Sequence, residues 1–138
     1  MGEPVARRED PRLLSGQGRF LDDLGHGALA VAFVRSPHAH AKVVDIDVTG
    51  ALDVAGLVAI YTYDDLTGPL AEPLPVLIPH PTLTHGRTPY ALARDEVNHV
   101  GEAVVMVVAT DRYLAEDACD RIRVDYEVLP PVVGIEAA

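Results

Sequence analysis

Hydrophobic positions fall into short blocks separated by polar or proline-rich chain. Residues 29–35 (LAVAFVR) read as a strand that Pro37 stops. Residues 42–48 alternate, with Val44, Ile46 and Val48 on one side and Asp45 and Asp47 on the other, which predicts a half-buried strand. Thr49 is placed to cap a short helix through residue 54, and Gly56 to take the left-handed position that ends it. Residues 57–62 are β-branched and aromatic, the next strand. Residues 103–109 are apolar throughout, the pattern of a strand buried on both faces. In 110–122, Leu114, Ala118 and Ile122 recur at i, i+4 and i+8 beside Ala115 and Cys119, while Glu116, Asp117, Asp120 and Arg121 face water. That spacing predicts an amphipathic helix capped by Thr110. Residues 123–129 form the last strand, ended by Pro130 and Pro131. Val105, Val107, Ala118 and Ile122 are expected in one cluster between strand and helix.

Two stretches lie outside this periodicity. Residues 1–19 are polar and carry Pro4, Pro11, Gly16 and Gly18, which reads as an extended lead-in with a turn. Residues 67–89 hold six of the eleven prolines (Pro69, Pro73, Pro75, Pro79, Pro81 and Pro89), and proline supplies no amide donor to helix or sheet. A loop of that length inside a compact domain is functional, docked on a partner, or mobile. The chain therefore divides into a lead-in, 1–19, and one α+β domain, 20–138, with a mixed sheet, two short helices and the irregular loop 67–89.

Composition narrows the function. The chain has 138 residues, 49% hydrophobic and 23% charged, as in a globular domain rather than a disordered tail or collagen-like rod. Its 21 carboxylates against 11 Lys and Arg give a net charge of −10, which disfavours phosphate backbones and anionic lipid as partners. No apolar run approaches membrane-spanning length, and residues 1–11 have no secretory apolar core, so a cytoplasmic location is expected. Cys119 is the lone cysteine, which excludes an internal disulfide and cysteine-based metal clusters. With no Trp and seven aromatic residues, a base-stacking platform is not indicated.

Each candidate for chemistry has a plainer alternative. Gly16-Gln17-Gly18 lacks the strand and third glycine of a dinucleotide fingerprint and reads as a tight turn. His38 and His40 would share a face on a strand and chelate a metal, or else stand as hydrogen-bonded or exposed histidines. His80, His85 and His99 are scattered in or beside the loop. Glu102, at the mouth of the buried strand, is either a general base raised by burial or a solvated carboxylate. Asp22-Asp23 and Asp64-Asp65 read as turn residues, since neighbours on a strand face opposite ways. Cys119 reads as a small buried hydrophobe. Ser15 and Ser36 stand in no nucleophile elbow. No catalytic constellation emerges.

The order of local patterns says more. Arg8-x-Asp10-x-x-x-Leu14-x-Gly16-x-Gly18-x-Phe20-x-Asp22-Asp23 comes first, then Val34-Arg35-Ser36-Pro37-His38-Ala39-His40-Ala41 and a strand with Ile46-Asp47. Leu92-Ala93, Val97 and Val100-Gly101-Glu102-Ala103-Val104 follow, then Ala109-x-x-x-Tyr113-x-Ala115-x-Asp117-Ala118. Val124-x-Tyr126-x-x-Leu129-Pro130-x-Val132 closes the series. Together these resemble the N-terminal α/β-hammerhead domain of the molybdenum hydroxylases, the family of xanthine dehydrogenase, aldehyde oxidase and the large subunit of aerobic carbon monoxide dehydrogenase. The opening most resembles the bacterial branch with separate subunits. Ala55 stands where the family usually has proline.

The resemblance implies a non-catalytic role. In that family the molybdopterin cofactor and the glutamate base beside molybdenum lie on later residues of a much longer chain, so no catalytic, cofactor or metal residue is carried over. The resemblance implies a hammerhead domain or split subunit that binds no cofactor alone, catalyses nothing alone, and packs on a molybdopterin-binding chain with iron–sulfur and flavin subunits in the same complex. Partner contacts are expected from 5–18, through Arg7, Arg8, Asp10, Arg12, Gly16 and Gly18, and from 67–89. The rivals are a stand-alone interaction module derived from such an enzyme and a small metal-binding protein using His38 and His40.

Overall fold

The computed structural model describes residues 2, 5–24, 27–76, 78, 80–83 and 88–137, without the side chains of Asp22 and Ala137. Its elements in order are α1 (Asp10–Leu14), β1 (Ala30–Arg35), β2 (Ala41–Asp47), β3 (Leu57–Tyr61), β4 (Glu96–Val97), β5 (Ala103–Ala109), α2 (Arg112–Asp120) and β6 (Arg123–Val128), with short 3-10 turns between them. The expected α+β composition is present. In place of the one mixed sheet expected there are two three-stranded sheets, β1-β5-β3 and β4-β2-β6, and every strand pairing in them is antiparallel.

One hydrophobic cluster joins the two sheets to α2. Val104, Val105 and Val107 of β5 pack with Ala118 and Ile122 and with Ala41 and Val97 of the second sheet. The four residues expected to cluster do so. Cys119 is half-buried against the same core, and burial pushes its thiol pKa up, assisted by Asp120 and Glu116. A thiol held protonated in this way is a packing group rather than a nucleophile.

Several local expectations are corrected. Thr110 does not cap α2; Asp111 does, its carboxylate accepting the Tyr113 amide at 2.8 Å. A carboxylate one residue nearer the first turn reaches an orphan donor that the threonine cannot. The helix expected over 49–54 is only the 3-10 turn Thr49–Ala51, with no side-chain cap from Thr49. Asp47 instead accepts both the Thr49 amide, 2.9 Å, and its hydroxyl, 2.6 Å, and these bonds hold the Asp47 pKa below its usual range. Gly56 takes the left-handed conformation as expected, with φ of 82°.

The alternation expected in β2 breaks in the middle. Val43 pairs with Tyr126 and Asp45 with Asp125, so Val44 is an extra residue in a bulge. Val43, Ile46 and Val48 pack on the core while Val44 faces water. A bulge moves every later side chain by one position, and period-2 counting cannot register it.

Candidate functional site

The lead-in was expected to be extended, but 10–14 form one helical turn. Pro11 suits a first-turn position because its missing donor would be unpaired there. Arg12 pairs with Glu9 at 2.9 Å, and the Ser15 hydroxyl donates to the Pro11 carbonyl at 2.7 Å. Gly16, φ 72°, turns the chain so that the Gln17 amide reaches the Arg12 carbonyl at 2.9 Å. Gly18 lies beneath the Leu13 side chain, where a Cβ would stand 2.9 Å from the Leu13 Cδ2. No residue of α1 is buried, and Arg7, Arg8, Asp10 and Arg12 are all exposed. The structure thus gathers the six candidate interface residues into one small surface feature without seating them on the core.

The two paired histidines have separate partners. His38 meets Tyr126 edge-on, ring centres 5.1 Å apart. The Nδ1 of His40 lies 2.9 Å from the Pro130 carbonyl and its Nε2 lies 3.4 Å from Glu96. The Pro130 carbonyl, followed by Glu96, raises the His40 pKa, with partial desolvation opposing them. They lie in the bend between β1 and β2, where strand alternation does not apply. His80 is bonded to Thr82, and His85 lies outside the described residues. Among the described residues no group of three or more His, Cys, Asp or Glu is placed to hold a metal ion.

A cleft of about 890 Å³ opens where the chain returns from the proline-rich loop. Its walls include Tyr90, Arg94, Asp95, Glu96, His99 and Glu102. Tyr63 and Tyr90 meet edge-on at 5.1 Å, and the Arg94 guanidinium lies over the Tyr63 ring at 5.3 Å and 5.9 Å from the Tyr90 centre. The Tyr63 hydroxyl donates to the Ala71 carbonyl, and the neck of the loop is closed by the Leu74 amide on the Pro89 carbonyl and the Thr88 hydroxyl on the Leu74 carbonyl. Single-residue motifs did not point to this cluster. The available signal was that two of only seven aromatic residues flank the loop.

Glu102 is 6% exposed, so the solvated reading is overturned. Its carboxylate accepts the Asn98 amide and stands 3.4 Å from His99 Nδ1. The turn it closes is bolted to the end of β1: the Gly101 amide donates to the Ser36 carbonyl, the Ser36 amide to the Glu102 carbonyl, and Arg35 to the Gly101 carbonyl. In this fold the carboxylate holds that turn through the Asn98 amide. Asp23 and Asp65 act as turn residues, accepting the Phe20 and Thr62 amides.

The cleft does not fit a phosphate-bearing pterin cofactor. An anionic tail needs unengaged cationic or amide donors. Among the described residues Arg94 is the one arginine or lysine in the wall, and it is engaged with two tyrosine rings and with Asp95 at 3.3 Å, while Asp95, Glu96 and Glu102 present negative charge. No helix among the described residues is long and apolar enough to cross a membrane.

Comparison with known proteins agrees with this geometry. Residues 15–130 match the family model described as the a/b hammerhead domain of aldehyde oxidase and xanthine dehydrogenase. The chain is 39% identical to the nicotine 6-hydroxylase large subunit of Paenarthrobacter nicotinovorans, over 96% of this chain and 16% of that one. The crystal structure of quinoline 2-oxidoreductase from Pseudomonas putida 86 aligns with a TM-score of 0.78 at 42% identity, over 97% of this chain and 17% of that chain. The structure of a Cu,Mo-CO dehydrogenase aligns with a TM-score of 0.75 at 39% identity, over 97% and 16% respectively. The chain thus spans a small fraction of the proteins it matches.

Proposed function

The chain belongs to the family of aldehyde oxidase and xanthine dehydrogenase a/b hammerhead domains, and from that membership we propose that it is the non-catalytic hammerhead unit of a molybdopterin-dependent hydroxylase or dehydrogenase. It packs on the chain that bears the cofactor and helps shape the approach to that site. Iron–sulfur and flavin subunits in the same complex carry electrons away, and the assembly is cytoplasmic. Alone, the chain oxidises nothing. The observation that carries this reading is the coverage: nearly all of this chain aligns with only 16–17% of the nicotine 6-hydroxylase large subunit, the quinoline 2-oxidoreductase chain and the CO dehydrogenase chain.

Docking through the lead-in and through 67–89 belongs to the same proposal. The helical turn at 10–14 leaves Arg7, Arg8, Asp10 and Arg12 exposed, and the guanidinium fork suits interface carboxylates and carbonyls. Phe20, 68% exposed, extends that surface with an aromatic ring. The test is affinity purification of the tagged chain co-expressed with the rest of the large subunit as a separate chain. Recovery of stoichiometric molybdenum with the tag is expected. A tagged chain that elutes alone, while the remainder is present and folded, would refute the proposal.

A further inference from the structure

Antiparallel sheets that face water on one side alternate apolar and polar positions. Apart from the bulged Val44, the second sheet of this fold obeys that rule. On its outer face Lys42 pairs with Glu127, Asp45 with Asp125 and Asp47 with Arg123, while Val43, Ile46, Val124 and Tyr126 pack inward. The first sheet does not. Its strands read AVAFVR, AVVMVVA and LVAIY, with no carboxylate in any of them although the whole chain holds 21.

Register places the two faces of that sheet. Val34, Val105, Val107 and Ile60 turn inward to the core. Phe33, Met106 and Tyr61 form one row across the outer face, and Val31, Val108 and Ala59 form the next. Val58, the extra residue of a bulge, adds to the same side. Val31 is 49% exposed, Phe33 39% and Val58 51%. Arg35 closes one end, its guanidinium 5.2 Å from the Phe33 ring centre and bonded to the Gly101 carbonyl. The apolar run 103–109 carries the pattern of a strand covered on both sides, yet Val105, Val107 and Ala109 are fully buried while Met106 and Val108 are only partly so. The fold provides one cover and the sequence is written for two.

We propose that the outer face of the β1-β5-β3 sheet is the seat of the cofactor-bearing remainder of the large subunit, an apolar and uncharged surface on that polypeptide covering Val31, Phe33, Tyr61 and Met106. This rests on the function proposed above and adds a second surface to the docking segments named there. Two observations favour that occupant over a second copy of this chain. The nicotine 6-hydroxylase large subunit and the quinoline 2-oxidoreductase chain carry the matching unit within polypeptides of which it is only 16–17%, so most of their chain lies outside it. A second copy would bring another net charge of −10 to the joint, and that repulsion opposes self-pairing.

The test uses two independent variants, Phe33→Glu and Val31→Glu, in the co-purification described above, with Asp117→Lys on the exposed side of α2 as a control. Both outer-face positions are partly exposed, so each variant should keep its circular dichroism and melt cooperatively alone. Each should weaken capture of the remainder by about tenfold or more, because a buried unpaired carboxylate at an apolar interface is strongly unfavourable. The control should bind as the wild type does. If the wild type captures nothing, the functional reading fails. If the wild type binds and both folded variants bind equally well, the seat is elsewhere and this inference fails alone. If the wild type is a dimer that Phe33→Glu dissociates while capture is unchanged, the face belongs to a second copy and the inference is overturned.

Discussion

Replacing Gly56 by alanine isolates a junction on which three elements depend. Gly56 sits at φ 82° between the 3-10 turn Thr49–Ala51 and β3, and its carbonyl accepts the Thr110 amide at 2.9 Å, next to the start of α2. An alanine Cβ there would stand 2.5 Å from the Thr110 Oγ1 and 2.7 Å from the Leu114 Cδ1. The Leu114 methyl is the far end of a flexible side chain and moves at small cost. The Thr110 hydroxyl is on a β-branched residue with little χ1 freedom. Left-handed backbone costs an L-residue about 1–2 kcal/mol, and overpacking adds about 1–3 kcal/mol. Reduced unfolded-state entropy returns about 0.4–1 kcal/mol. The net expectation is a loss of about 1–4.5 kcal/mol, or a melting temperature lower by roughly 3–15 °C for a domain of this size. Urea titration should show a lower midpoint at unchanged slope. Adding Thr110→Ala should restore part of the loss, because it removes the clash and leaves the backbone strain. A loss below about 0.5 kcal/mol, within the range of neutral surface changes, would refute both the left-handed assignment and the close approach.

Three further outcomes are expected. Ile122→Ala should destabilise the domain by about 2–5 kcal/mol in denaturant titration, as for a large side chain removed from a packed core; a melting temperature equal to wild type would remove the link between α2 and β6 from the core. Asp111→Ala should cost about 1 kcal/mol, the usual worth of an N-cap, and a larger effect from Thr110→Ala than from Asp111→Ala would reverse the cap assignment. The His40 pKa is raised in the fold, so its contribution to stability is complete below the ordinary imidazole value of about 6.5 and is lost as pH rises through the raised value. The melting difference between wild type and His40→Gln should shrink from pH 5.5 to pH 8, and a difference constant across that range would show that Pro130 and Glu96 do not favour the charged ring.

The core strands and α2 were readable because their signals are periodic. Leu114, Ala118 and Ile122 keep helical spacing, and no irregularity interrupts 103–109 in the chain itself. Val44 was misplaced because a bulge is a property of a strand pair and leaves no mark on one strand alone. The cap shifted from Thr110 to Asp111 because both residues can cap, and only backbone geometry selects between them. At the candidate site, the turn character of Asp23 and Asp65 followed from side-chain chemistry over three residues. The Tyr63, Tyr90 and Arg94 cluster did not, because the loop brings Tyr63 and Tyr90 together from opposite ends. Glu102 could be read as solvated from its place at a strand mouth; its burial comes from the Asn98 turn and from the crosslink to Ser36.

The bonds from the Leu74 amide to the Pro89 carbonyl and from the Thr88 hydroxyl to the Leu74 carbonyl have an evolutionary consequence. They hold the two feet of the loop at a fixed separation whatever lies between them, so the segment is a cassette whose length is uncoupled from the rest of the domain. Doubling the span of a closed loop costs only about 0.6 kcal/mol in closure entropy. Closure cost alone therefore leaves 75–87 open to lengthening, shortening or rewriting, and so to a new neighbour or a new rim to a site, while the strands register no change. Insertions of Gly and Ser between Val76 and Thr88 should leave the melting temperature nearly where it was, and the same insertion between Ala93 and Val97 should not.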